Sequence, residues 1–180
     1  MNTTEAIAAL DHISRQATTN FGNLSYNALN KKPSADKWSI AQCLDHLIVS
    51  NRTYYPQFEE VIQGKHANSF YQNIRFLSRS MGSWLIKKTG ADRSGKMKNP
   101  AAFTPAQGNI PATIVNDFLL HQEEMKSYYL KMQHVDLHNT VLSSPASGII
   151  TYSLFDLLDI LCGHEQRHIN QALEVLHNQS

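Results

Sequence analysis

The segment His164-Glu165-Gln166-Arg167-His168 places two imidazoles four residues apart. On a helix that spacing stacks both rings on one face, where they can approach a single ion. Imidazole is largely unprotonated at neutral pH and suits Zn, Ni, Cu or Fe. Two ligands do not complete such a site, because a catalytic metal usually takes three from the protein and keeps one position open. The third must come from another helix. His46, beside Leu44 and Leu47 near the start of a well-capped segment, is the best candidate. Three inward His in one core are hard to satisfy without an ion. Glu165, adjacent to one ligand, is a candidate partner supporting a ligand from behind, or a general base.

The other histidines and thiols compete for lesser roles. His12 and His121 sit near apolar stripes and could supply a fourth ligand or polar lining. Cys43 lies one turn before His46, within reach of thiolate ligation. Cys162 is two residues from His164, which turns it away from the pair and makes it a buried structural thiol. His66, His134, His138 and His177 fall in loops or near the end of the chain, where solvation is the expectation.

His-Glu-x-x-His also reads as a zinc-protease motif. The extended protease pattern wants Gly and His farther on, where this chain has Gln171 and Glu174. A di-iron carboxylate site fares no better: Glu165-x-x-His168 and Glu174-x-x-His177 share one helix, whereas that site needs them on different helices with further Glu ligands.

Helices must carry these residues. Asn2 with Glu5, and Ser39 with Gln42, read as capping boxes opening two helices. Ile7, Leu10, Ile13, Ala17 and Phe21 continue the first at three-four spacing until the polar run around Pro33 breaks it. Trp38, just before the Ser39 cap, is placed to pin the start of the second. That helix should run to Ile62, kinked where Pro56 frees the Arg52 carbonyl, and stop at Gly64. Ile74, Leu77, Met81 and Leu85 suggest a short helix within 70–88, followed by a turn-rich, basic stretch over 90–100. A third long helix begins at Pro111 and carries Ile114, Phe118, Met125 and Met132. Residues 134–148 read as a loop, and the last helix starts after Ser153 and reaches Leu176. No run alternates long enough to predict a sheet. The expected fold is therefore all-α: a four-helix bundle with a long crossover connection, in a single domain over 1–180. A six-helix array is the alternative.

The 180 residues include 16 Lys+Arg against 15 Asp+Glu, a formal charge of +1, with 42% hydrophobic residues and nine His. Such balance argues against broad electrostatic binding to nucleic acid or an anionic membrane. No stretch approaches the roughly 20 apolar residues that span a bilayer. Two Cys and no recognisable leader fit a cytoplasmic protein.

Lys37-Trp38-Ser39-Ile40 followed by Leu44-Asp45-His46-Leu47, then Pro145, Gly148 and the run from Gly163 to Gln171, resemble in order the anchors of the DinB/YfiT-like metalloenzyme family. The resemblance spans about residues 29 to 173 and is weakest in the basic middle. It implies a four-helix bundle, often dimeric, with a divalent metal on three His, which position by position are His46, His164 and His168. Characterised relatives include thiol-dependent S-transferases and isomerases using bacillithiol, mycothiol or glutathione; others carry a hydrolase label. The family name does not imply DNA binding. The leading expectation is a zinc or nickel enzyme transferring a low-molecular-weight thiol to a small-molecule substrate. A metal-dependent hydrolase and a non-catalytic ligand-binding bundle with a structural metal are the alternatives.

Overall fold

The structure is a computed structural model that describes residues 1–66 and 104–179. The helix expected within 70–88 and the turn-rich stretch over 90–100 lie outside the described residues. The described chain is mostly helical: α1 (Thr3–Phe21), α2 (Tyr26–Asn30), α3 (Ile40–Arg52), α4 (Tyr55–Ile62), α5 (Ile114–Lys131) and α6 (Leu154–His177), with strands β1 (Val141–Ser144) and β2 (Ser147–Ser153) before α6.

Both capping boxes form. Asn2 Oδ1 accepts from the Glu5 amide at 2.9 Å while Glu5 accepts from the Asn2 amide at 2.8 Å. Ser39 and Gln42 make the same reciprocal pair, each bond 3.2 Å. These satisfy donors that a helix start otherwise leaves orphaned. The fully buried stripe of α1 is Ala6, Leu10, Ile13, Ala17 and Phe21, with Ile7 partly buried against the same core. Pro56 opens a helix instead of kinking one. It sits in the first turn of α4, where its missing N–H costs nothing, and α3 stops at Arg52. The short α2, capped by Ser25, was hidden by its proximity to Pro33.

The expectation of no sheet is overturned by a hairpin. β1 and β2 pair antiparallel, Val141 opposite Ser153, with an irregularity at Ser143/Ser144 where Pro145 helps turn the chain. Its outer edge does not face solvent bare. Gln57 of α4 donates to the Ser143 carbonyl at 2.9 Å and accepts from the Ser143 amide at 3.0 Å. His66 Nε2 donates to the Val141 carbonyl at 2.9 Å, so this residue is engaged rather than solvated.

Each of α1, α3, α5 and α6 touches two of the other three: α1 packs on α5 and α6, and α3 packs on the same two. Their apolar faces, with residues of α4 and β2, make two separate clusters. One gathers Ala17, Phe21, Leu44, Phe118 and Ala172; the other gathers Leu10, Phe58, Met125, Tyr152 and Leu158. Fully burying an aromatic such as Phe21 or Phe58 stabilises by about 2–3 kcal/mol. Between the clusters lies a polar layer: Asn51 from α3, His121 and Gln122 from α5, and Glu165 from α6, all buried. The metal-type histidines border that layer.

Candidate metal centre

His46 comes from α3, two turns inside the Ser39 cap; His164 and His168 come from consecutive turns of α6. One ring nitrogen from each lies within 4.8 Å of the others. His46 Nε2 and His164 Nε2 are 3.1 Å apart. Ligands about 2.0–2.1 Å from a tetrahedral zinc lie about 3.3 Å from one another, so this pair has the required separation. His46 and His168 are buried and His164 is partly exposed. Among the described residues this is the only such cluster, and its all-imidazole donor set fits a borderline divalent ion such as zinc or nickel.

Hydrogen bonds decide which nitrogen faces inward. His168 Nδ1 lies 2.9 Å from Gln171 Oε1, and its Nε2 lies 2.9 Å from the donor-only guanidinium of Arg167. Both contacts require the proton on Nδ1 and a lone pair on Nε2. For His46, the Ser50 hydroxyl lies 3.3 Å from Nδ1 and 3.5 Å from Nε2, and Nε2 faces His164. Ser50 stands four residues from His46, and Gln171 three from His168, so each orients a ring one turn away on its own helix. Sequence reasoning missed both roles, although that spacing is their signal. Trp38 covers the site as well as the helix start. Its ring stacks on His168 at 5.5 Å and 28°, and is tilted against His46 at 4.8 Å.

Burial keeps His164 and His168 neutral. His168 is pushed down to about 2 by desolvation, with His46 and Arg167 adding to the effect against the Gln171 bond. His164 is lowered well below its ordinary value, again chiefly by burial, with His168, His46 and Arg167 contributing. Neutral rings have the lone pairs a metal needs. Replacing Gln171 by Leu should therefore weaken zinc binding about 10–100-fold by releasing the His168 ring. Competition titration against a chelator measures this, and an unchanged affinity would remove Gln171 from the orienting role.

Glu165 points elsewhere. Its oxygens accept from Asn51 Nδ2 at 2.6 Å and Gln122 Nε2 at 2.9 Å, within the polar layer. Burial raises its carboxyl to about 7 against the lowering effect of the Gln122 and Asn51 bonds. His121 belongs to this layer, and the three-imidazole cluster does not include it. Asn51 lies 3.3 Å from its Nε2, and Tyr55 lies 2.9 Å from its Nδ1 and donates onward to Glu124. Burial, and then the charge of Arg52, lowers His121 to about 3. His12 is exposed on α1, away from any ligand role. The Cys43 thiol is buried and pushed up by desolvation, which opposes thiolate ligation. Cys162 is buried with Sγ 3.9 Å from the Ala6 carbonyl. Arg52 pairs with Glu124 at 3.6 Å on the exposed surface.

Three comparisons with known proteins bear on this geometry. The profile of the DinB superfamily matches residues 9–172. An uncharacterised protein of Bacillus subtilis strain 168, YuaE, is 26% identical over 153 residues, covering 84% of this chain and 85% of its own length. No solved structure matches.

Proposed function

The chain belongs to the DinB superfamily, and from that premise we propose a mononuclear zinc or nickel centre on His46, His164 and His168, serving thiol transfer. We infer that the helices that carry it, α3 and α6, form a four-helix bundle with α1 and α5. The observation that carries the reading is the ligand count. Three imidazole nitrogens converge, and neither His12, His121 nor Cys43 joins them. A structural zinc prefers four protein ligands, usually including Cys, whereas a three-ligand site retains a position for substrate. That weighs against a purely structural metal.

A bound divalent ion supplies Lewis acidity, lowering the pKa of a thiol or water and polarising an electrophile. The chain's own residues prepare the place. Gln171 holds the His168 ring in the tautomer that leaves the Nε2 lone pair free of a proton, and Ser50 stands against the His46 ring. Trp38 walls one side and keeps water from the backs of His46 and His168. Of the two roles open to Glu165 we assign the supporting one: both its oxygens are committed to amides, so it ties α3 and α5 to α6 beneath the ligands.

The substrate pair is a low-molecular-weight thiol and a small electrophile. No helix among the described residues is long and apolar enough to cross a membrane. A thiol-conjugation assay with a reactive electrophile, run with and without added metal, tests the reaction. We expect turnover that requires both metal and thiol. Metal-dependent turnover that ignores added thiol would assign hydrolysis instead, and no turnover of either kind would reject both.

A further inference from the structure

The two amides that hold Glu165 each keep a carbonyl in reserve. Asn51 Nδ2 donates to Glu165 Oε1 at 2.6 Å and lies 3.3 Å from His121 Nε2, while Gln122 Nε2 donates to Glu165 Oε2 at 2.9 Å. Turning either amide over would set a carbonyl against a carboxylate oxygen, so the N–H groups must face Glu165. Asn51 Oδ1 and Gln122 Oε1 are thereby turned from the carboxylate, and neither has a partner among the described residues. The Tyr129 hydroxyl is a third such group. It lies on α5 two turns beyond Gln122, and its pKa is raised by burial first, then by Cys162 and Glu165, which places it beside the same layer. All three side chains are fully buried.

Buried polar groups are nearly always hydrogen-bonded. What this set lacks is donors, since two carbonyls need a proton and one hydroxyl offers one. Neighbouring donors are committed. With Nε2 accepting from Asn51, His121 carries its proton on Nδ1, against the Tyr55 oxygen, and the Tyr55 hydroxyl donates to Glu124. Water restores the balance, because each molecule brings two donors and accepts in return. We propose that the polar layer between the two apolar clusters is a hydration site, where internal water donates to Asn51 Oδ1 and Gln122 Oε1 and accepts from the Tyr129 hydroxyl. Internal waters typically make about three hydrogen bonds, the number these groups offer. A monovalent cation fits less well: it could take the three oxygens, but the Tyr129 proton would still lack an acceptor. The water locks both amides with their N–H groups toward Glu165 and ties α3 to α5 behind the ligand-bearing turns of α6. It does so whether or not the histidines hold an ion.

High-resolution crystals of the full chain, grown without ammonium and soaked in rubidium chloride, test the site. We expect a density peak of water size within about 2.7–3.2 Å of at least two of the three oxygens, with no rubidium anomalous signal. A peak near fewer than two of them would overturn the site. A rubidium signal there would overturn water in favour of a cation. In solution, oxygen-17 relaxation dispersion counts long-lived internal waters. Gln122→Met keeps the length of the side chain and removes its carbonyl, so it should hold at least one such water fewer than wild type. An unchanged count in a normally folded Gln122→Met would overturn the part assigned to Gln122. The wild-type crystals decide the site itself even where that variant does not fold.

Discussion

Replacing His168 by Ala should abolish stoichiometric zinc binding, and His46→Ala and His164→Ala should do the same. Each ring supplies one of the three converging nitrogens, so any single loss leaves two ligands from a set that has no spare among the described residues. Loss of an orienting partner alone costs about 10–100-fold in metal affinity; loss of a ligand should exceed the upper end of that range. Thermal unfolding gives a second readout. Zinc at about 100 times its dissociation constant stabilises a folded state by about 2.7 kcal/mol through mass action, and that increment should vanish in all three variants. His12→Ala, on the exposed side of α1, should bind zinc like wild type. Unchanged stoichiometry across the three ligand variants would end the assignment.

The metal-free protein should lose stability steeply as pH falls below about 6.5. His121 is held down to about 3 and His168 to about 2, while His164 lies well below its ordinary value. In the unfolded chain all three take a proton near pH 6.5. Below that value the unfolded state binds more protons, so their contribution is complete above about pH 6.5 and declines on acidification. Glu165 acts with the opposite sign. Its folded value is raised to about 7, so its contribution is complete below about 4.5 and declines as pH rises through 7. Near pH 5.5 the balance is about three protons gained on unfolding against one lost. The expected slope is about 2–3 kcal/mol per pH unit. Urea midpoints measured from pH 5 to 6.5 in the presence of chelator give this slope. His121→Gln should remove about one proton from it. A wild-type slope below one proton would show that these rings are not buried neutral.

Much of this arrangement could be read from residue order. Capping pairs at Asn2/Glu5 and Ser39/Gln42 fixed two helix starts because side chain and backbone satisfy each other locally, without reference to the rest of the fold. His164 and His168 followed from helical geometry alone. His46 needed more, since its pairing with α6 depends on packing across 118 residues of sequence. The polar layer was illegible for the same reason: Asn51, Gln122 and Glu165 are unremarkable until three helices bring them together. The hairpin escaped for a different reason. β1 has only four residues, and β2 buries Thr151, Tyr152 and Ser153 in succession while exposing Ile149, which erases the period of two. Pro56 reads as a breaker from sequence, but the choice between kink and new helix depends on what Phe58 and Val61 can pack against.

The outer edge of β1 has a consequence for how copies of this chain meet at high concentration. A two-stranded ribbon leaves unpaired backbone groups along each margin, a template on which another chain can lay a strand. Here the amide of Gln57 imitates the next strand, occupying both backbone groups of Ser143, while His66 takes the carbonyl of Val141. Recruiting a foreign strand would first require peeling α4 away, exposing Phe58 and Val61 to water. The helix thus guards the ribbon against intermolecular β-pairing, with two polar side chains serving as gatekeepers.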